Sequence, residues 1–168
     1  MSNYYLGPCQ IIFKGSDLGK TEGGVRVTAG QTSVELHTDQ DGETPVDEYK
    51  TGTTVGVSGN LAEITLANFA FMFHTTVITD GTKQKVLVVP GTGTSLKDQG
   101  GILIVKPYVA GAVTALANKW ITLHSAGMKC TIDLAFNRSD QQVMAFEAVG
   151  YPDSNSIIAT FGDQTATA

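Results

Sequence analysis

The stretch VRVTAGQTSVELH, at residues 25–37, decides the fold class. Its first part, VRVT, is rich in β-branched side chains and ends at an Ala-Gly pair. Its second part, TSVELH at residues 32–37, alternates in polarity, which places Val34 and Leu36 on one face and the polar residues on the other. A repeat of two residues is typical of a half-buried β-strand, so we predict two short strands here.

Runs of the same kind recur on both sides of this stretch. Further strand candidates lie at residues 8–14, 53–57, 85–89, 102–106, 120–124, 129–136, 142–149 and 157–161. Residues 90–101 are rich in Gly and Thr and predict a surface loop, whereas residues 110–119 are compatible with a strand or a short helix. The chain has 19 Gly and 21 Thr among 168 residues, which fits many strands and turns.

One segment, residues 60–74, predicts a helix. Asn60 is a favourable N-cap residue, and Glu63 stands three positions later, as in a capping box. Apolar residues then recur at helical spacing, at Leu61, Ile64, Ala67 and Phe71, with Phe69, Met72 and Phe73 beside them. We therefore expect a single domain over residues 1–168 that is mainly β, a two-sheet β-sandwich or barrel with one flanking α-helix.

A long loop is predicted at residues 39–52, DQDGETPVDEYKTG, because the strand pattern stops there. The stretch has five acidic residues, two Gly and one Pro. Loops of this length in a small domain are usually functional or contact a partner. Its first four residues, DQDG, resemble part of a calcium-binding loop, but Pro45 follows and no helices flank it, so a solvated turn or partner contact is favoured.

Sequence motifs for catalysis or cofactor binding are not found. The run GSDLGKT at residues 15–21 resembles a phosphate-binding loop, but it has three residues between its glycines instead of four, and no helix is predicted after it. His37, His74 and His124 are far apart, and none belongs to an i, i+4 metal-binding pair. We therefore expect no cofactor, no metal and no enzymatic activity.

The charge and the apolar runs exclude further classes. A net charge of −5 and a pI of about 5.0 argue against a nucleic-acid-binding surface. Charged residues make up only 16% of the chain, against about 25% in an average domain, which suggests that much of the surface is buried against other copies or a partner. No apolar run approaches the ~20 residues of a membrane span, and MSNYY lacks the features of a signal peptide.

The two cysteines, Cys9 and Cys130, are too few for a disulfide scaffold or a cysteine-only zinc site. Three states remain open for them: two buried free thiols, a disulfide within the chain, or a disulfide between chains. The separation of their Cα atoms decides whether the second is feasible.

Three stretches in order resemble the phage major tail proteins, the family that forms tail tubes. GPCQIIFKGSDLGKTEGGV, at residues 7–25, is similar to the N-terminal strand and Gly-rich turn of that family. The sequence TDQDGETPVDEYKTGTTVGV at residues 38–57, followed by NLAEITLANFA, resembles its long loop, strand and helix. QQVMAFEAVGYPDSNSIIATFGD, at residues 141–163, resembles its closing strands with a Y-P-D turn between them.

This resemblance implies a structural virion protein with the fold shared by tail tubes and secretion tubes. In that family, hexameric rings with a β-lined lumen stack into a tube that conducts DNA during ejection. By resemblance, residues 1–6 are an N-terminal arm contacting an adjacent ring, and residues 39–52 are an inter-subunit loop. The loop residues carried over are Asp39, Gln40, Asp41, Gly42, Glu43, Thr44, Pro45, Asp47 and Tyr49. The family has no active site, so none is transferred.

The resemblance also implies the partners and the location. The chain is expected to bind copies of itself, tail terminator, baseplate or tip proteins and a sheath where there is one, and to pass DNA without specific binding. Its place is the tail of the virion, after assembly in the host cytoplasm, with no membrane partner. An acidic lumen that repels DNA is a further hypothesis, based on the net charge.

Two alternatives remain. One is the tube of a contractile secretion or bacteriocin-like particle. The other, from a different class, is a monomeric β-sandwich binding module that uses the acidic loop with Ca²⁺.

Overall fold

β-strands make up most of the computed structural model, which describes residues 7–134, 136–137, 139 and 141–166. The N-terminal arm predicted at residues 1–6 lies outside these described residues. The strands are β1 (Cys9–Phe13), β2 (Ser16–Asp17), β3 (Thr21–Leu36), β4 (Asp47–Leu61), β5 (Val77–Asp80), β6 (Lys83–Val86), β7 (Gly101–Val109), β8 (Ala112–Val113), β9 (Ile121–Asp133), β10 (Val143–Tyr151) and β11 (Ala159–Phe161). Helix α1 spans Leu66–Met72, and a 3₁₀ turn spans Ala117–Lys119.

One antiparallel sheet contains most of these strands, in the order β2-β1-β7-β9-β10-β4-β3. β8 pairs with β7, and β11 pairs with β9 next to the point where β10 ends. β5 and β6 form a separate hairpin that packs on α1.

The two ends of this sheet meet, so it curls into a barrel-like shape. β2 and β3 are the first and last strands of the order, yet only residues 18–20 separate them in the sequence. That connection spans about 14 Å at most. In a flat sheet of this order, β2 and β3 would be six strand spacings apart, which is about 29 Å. The amide of Ala62 donates to the carbonyl of Lys20 at 2.8 Å and so extends the pairing of β3 with β4 by one residue into this connection.

The core fills the inside of the curled sheet. Its largest fully buried side chains are Phe13, Ile11, Leu18, Leu61, Leu103, Leu123, Met128 and Met144. Buried and partly exposed residues alternate along β10, as expected for strands with one face on the core. The predicted fold class, a mainly β sandwich or barrel with one flanking helix, is confirmed for the described residues.

The predicted start of the helix at Asn60 is wrong. β4 continues to Leu61, and Asn60 lies opposite Glu22 of β3 and Ala145 of β10. Strands on both sides therefore bind the backbone at this point, and sheet pairing prevails over the local capping signal. The helix begins five residues later, where the Thr65 hydroxyl accepts the Asn68 amide at 3.1 Å.

The helix also ends earlier than residue 74. The His74 amide donates to the Phe71 carbonyl, and the Thr75 amide donates to the Ala70 carbonyl, which is the Schellman arrangement. His74 takes the left-handed conformation that this ending requires, with φ of 52°. Most of the predicted apolar stripe does face the core: Met72 is buried, and Ile64, Phe69 and Phe71 pack against the core. Ala67 is exposed instead, and the polar Asn68 is buried.

The other strand predictions match observed strands at shifted bounds. The predicted strands at 25–28 and 32–37 are parts of one strand, β3, which ends at Leu36. Those at 120–124 and 129–136 overlap another, β9, which spans Ile121–Asp133. Residues 87–89, predicted as strand, follow β6 as irregular chain. Residues 110–119 form a turn, a two-residue strand and a 3₁₀ turn, so both open alternatives occur there. No helix in the described ranges is long and apolar enough to cross a membrane.

Candidate assembly interface

A two-stranded ribbon extends from the body of the fold. Every residue from 28 to 51 is exposed, and we call this segment the ribbon. β10 pairs with β4 only from Gly56 to Leu61, and β3 is the last strand of the sheet, so β3 is the strand neighbour of Asp47–Val55. The strand part of the ribbon is about 27 Å long, from the rise of the eight steps between residues 28 and 36.

The ribbon has one apolar face. Residues that lie opposite each other on antiparallel strands share a face, and Val34 lies opposite Tyr49. Leu36, two positions after Val34, lies on the same face, and the Val46 amide donates to the Leu36 carbonyl at 2.9 Å. Asp47 lies opposite Leu36 and shares this face. Val34, Leu36, Tyr49 and the neighbouring Val46 are between 44% and 57% exposed, and one copy of the chain leaves them uncovered.

This apolar face is not an extension of the core. Val25 and Val27 of β3 pack against the core, and the alternation along the strand places Ser33 and Glu35 on that same side. Val34 and Leu36 therefore lie on the outer side of the sheet. The pairing of β3 with β4 shifts between Thr32 and Ser33, because residue 51 is an extra, unpaired residue of β4. This bulge turns Tyr49 to the outer side of the sheet.

The opposite face of the ribbon is acidic. Glu35 and Glu48 lie directly opposite each other, an unfavourable like-charge pair. Glu48 accepts a hydrogen bond from the Ser33 hydroxyl, and the Glu35 carboxylate lies 3.6 Å from His37 Nε2. Residues 35–48 include six acidic residues and no Lys or Arg. The rest of the chain has ten acidic and eleven basic residues, so the whole net charge of −5 originates in this segment.

The loop in the structure is shorter than the predicted range of residues 39–52. Turns occupy residues 39–44, where the Asp41 amide donates to the Thr38 carbonyl at 3.1 Å and Gly42 has φ of 62°. Of the nine loop residues, Asp39, Gln40, Asp41, Gly42, Glu43, Thr44 and Pro45 lie at the ribbon tip. Asp47 and Tyr49 are in β4, so the loop assignment is wrong for them. Pairing with β3 prevails over the low strand propensity of Asp, Glu and Gly there.

A separate polar cluster fastens the β10–β11 connection to β9. His124 Nε2 lies 2.7 Å from the Thr160 hydroxyl, and its Nδ1 lies 3.7 Å from an Asp153 carboxylate oxygen. Asp153 also accepts the amides of Asn155 and Ile157, and the Ile157 amide is the main cause that lowers the pKa of Asp153. This order of groups resembles a nucleophile relay, but His124 and Thr160 line none of the four main clefts. We interpret it as a structural clamp.

The largest of the four main clefts lies at the seam of the barrel. It measures about 630 Å³ and is lined by Pro8, Cys9, Gln10, Asp17, Gly19, Lys20, Thr21, Glu63 and Tyr108. The phosphate-loop-like motif is therefore at a cleft, but the Asp17 and Glu63 carboxylates there would repel a phosphate. Asp17 instead accepts the Gly19 amide and the Gln10 side chain, so these groups stabilise the turn before the seam.

The three histidines remain apart in the fold. His74 Nε2 lies 2.9 Å from the Met128 carbonyl, while His37 lies at the ribbon and His124 in the clamp. Among the residues that the structure describes, no three His, Cys, Asp or Glu side chains converge as a metal site requires. This applies also to the acidic residues of the ribbon tip.

Both cysteines are free thiols, and a disulfide between them within one chain is excluded. The two cysteines lie towards opposite ends of the sheet. Cys9 is opposite Pro107 of β7, and Ile121 of β9 is opposite Val105, two residues away on β7. Cys130 lies nine residues further along β9 from Ile121, on the side away from Cys9, so the two cysteines are roughly 30 Å apart. Burial raises the pKa of both thiols. The third alternative, a disulfide between chains, is not tested by the structure of one copy.

Comparison with protein families and with curated proteins finds no match to this chain.

Sequence reasoning missed the two-faced ribbon and the β5–β6 hairpin. The signal for the ribbon was present in part, because TSVELH alternates and VDEY places an aromatic residue between acidic ones. Its acidic residues and Pro45 are typical of a loop, and this composition hides the second strand.

Proposed function

We propose that this chain is a phage tail tube protein, a structural virion protein whose hexameric rings stack into the conduit for DNA. The observation that carries the proposal is the ribbon, with its uncovered apolar face. Self-assembly would cover that face. The choice of stacked hexameric rings as the form of that assembly rests on the resemblance of residues 7–25, 38–70 and 141–163 to the tail tube family.

The ribbon has the properties of a segment that is stabilised by a partner. A two-stranded ribbon is marginally stable in water unless a further element packs on it. Its four half-exposed apolar side chains would each contribute about 1 kcal/mol if they became fully buried. A contact that buries all of them would thus be stabilised by several kcal/mol, enough to drive assembly at moderate protein concentrations.

The proposed role is structural and not catalytic. The polar groups of the His124 clamp and of the seam cleft are engaged in holding turns and strands together. The proposed location is the tail of the virion, with assembly in the host cytoplasm. The proposed partners are further copies, the proteins at the two ends of the tail, and DNA that passes without specific binding.

The charge distribution changes the hypothesis of an acidic lumen. The net negative charge originates in residues 35–48, and the rest of the chain has a net charge of +1. If the ribbon forms the contact between copies, the net charge by itself does not support a lumen that repels DNA. The acidic residues are better explained as part of the contact.

The test is negative-stain electron microscopy of the purified protein, together with sedimentation velocity at increasing concentration. We expect rings or hollow tubes with six-fold end views. A chain that stays monomeric at every concentration, with a melting temperature lowered by EDTA, would favour the calcium-dependent binding module instead. Tubes that recruit a contractile sheath but never contain DNA would favour the secretion or bacteriocin-like particle.

A further inference from the structure

A second uncovered apolar surface lies on the far side of α1, at the β5–β6 hairpin and the chain that follows it. We call residues 77–89 the acceptor hairpin. Leu87, Val88 and Val89 are between 47% and 65% exposed. They are the longest run of large exposed apolar residues in the described part of the chain. The run is followed by Pro90, so its backbone does not continue the strand.

The outer face of the acceptor hairpin is basic. Ile78 lies opposite Lys85, and Asp80 lies opposite Lys83, so these four side chains share one face. On the other face, Val77 and Val86 are half-buried at the end of the hairpin that lies near α1, whereas Thr79 and Gln84 are exposed. The exposed face thus combines an apolar residue with two lysines and one carboxylate, a local charge of +1.

We infer that the ribbon of one copy binds the acceptor hairpin of a second copy. This inference rests on the proposed function, because it names the surface that would receive the ribbon in the assembly. The ribbon has an apolar face and six acidic residues near its tip, and the acceptor hairpin has an apolar run beside two lysines. Both are exposed in one copy, so the ribbon does not cover the hairpin of its own chain.

A recess beside the acceptor hairpin suits an aromatic side chain. A cleft of about 320 Å³ adjoins Val89 and is lined in part by Phe73, Leu96 and Met128. Aromatic residues that enter such recesses commonly dominate the energy of an interface. Tyr49 is the aromatic residue on the apolar face of the ribbon and is 57% exposed, so it is the expected anchor.

Other exposed apolar residues fit an acidic ribbon less well. Ile157 lies next to Asp153, whose carboxylate accepts its amide, and Phe161 is two residues from Asp163. Their surroundings would repel six further carboxylates. Ile102, Leu116 and Phe136 are also exposed, but none of them is next in sequence to a second exposed large apolar residue in the described part of the chain. Charge and continuity together therefore favour the acceptor hairpin.

The test is charge reversal with exchange between the two surfaces. The double variant Lys83→Glu and Lys85→Glu is expected to raise the concentration needed for assembly about tenfold or more. The matched control, Lys20→Glu and Arg26→Glu, makes the same change in net charge at exposed residues elsewhere. Adding Asp39→Lys and Glu43→Lys to the first double variant restores opposite charges and should recover assembly.

A covalent measurement locates the contact. A mixture of Tyr49→Cys and Val88→Cys chains should form a disulfide-linked heterodimer on mild oxidation. A mixture of Tyr49→Cys and Lys20→Cys chains, and the unsubstituted chain with its two native cysteines, give the background.

The outcomes separate this inference from the proposed function. If the unsubstituted chain assembles and the lysine double variant assembles as the control does, the acceptor hairpin is wrong and the tube proposal stands. If assembly is lost only in the lysine double variant and returns on charge exchange, the inference on the acceptor hairpin and the tube proposal both stand. If the unsubstituted chain does not assemble at any concentration, and the mixture of Tyr49→Cys and Val88→Cys chains gives no heterodimer above background, the inference and the proposed function are both overturned.

Discussion

Replacing Val34 and Leu36 by Thr should abolish assembly at ordinary concentrations and leave the single copy folded. Thr keeps the strand propensity of a β-branched residue, so the pairing of β3 with β4 is preserved. Both side chains are about half exposed and lie outside the core. The free energy of unfolding of the monomer should therefore change by about 0.5 kcal/mol or less.

The free energy that assembly would lose follows from the part of each side chain that is still exposed in one copy. Full burial of a Val or Leu side chain is worth about 1.5–3 kcal/mol, so burying the remaining half contributes about 1 kcal/mol each. The introduced hydroxyls add a desolvation cost of about 1 kcal/mol if they find no partner. A total loss of about 2–3 kcal/mol corresponds to a roughly 30- to 150-fold rise in the concentration required for assembly.

The assay measures the protein left in the supernatant after centrifugation, with thermal unfolding of the dispersed protein in parallel. The matched control is Ile102→Thr with Leu116→Thr, which removes two exposed apolar side chains far from the ribbon in sequence. Assembly of the ribbon variant at the same concentration as this control would refute the assignment of the apolar face to a contact. A large drop in melting temperature would show that the face is used within one copy.

Three further changes test other parts of the structure. Asn68→Ala should lower the free energy of unfolding by about 2–4 kcal/mol in urea titrations, because the buried side-chain amide donates to the Leu18 and Glu63 carbonyls. Deleting residues 42–45 should leave the far-UV circular dichroism spectrum unchanged and remove tubes in the electron microscope, since the tip contributes no core residue. The pKa of Asp153 is lowered below 3.8 in the folded state, so its stabilisation is present above that value and is lost as the pH falls further. Asp153→Asn should therefore show a shallower fall of melting temperature below pH about 4, and equal slopes would contradict this assignment.

The sequence predicted the fold class because the signals for strands are local and repeated. Alternation in TSVELH marked part of β3, although Val34 and Leu36 there lie on the outer side of the sheet and not on the core. The start of the helix could not be predicted in the same way. Asn60 and Glu63 form a valid capping signal, but the neighbours that keep Asn60 in a strand are Glu22 and Ala145, which are distant in sequence.

The candidate interface was predictable only in part. Its position in the chain, around residues 39–49, was indicated by composition and by resemblance to tail tube proteins. Its two faces were not, because the outer position of Tyr49 depends on a bulge at residue 51 that shifts the pairing by one residue. A shift of one residue reverses which side chains share a face.

The short connection between β2 and β3 has a consequence for the order of events during synthesis. β1 pairs with β7 and β4 pairs with β10, so both N-terminal hairpins find their neighbours in strands made much later. We expect that the first 61 residues, although they include the complete ribbon, cannot close the barrel while they emerge from the ribosome. The acceptor hairpin also follows the ribbon in the chain. A nascent ribbon would thus meet finished copies before its own body is folded, and its six carboxylates would help to keep neighbouring nascent ribbons apart.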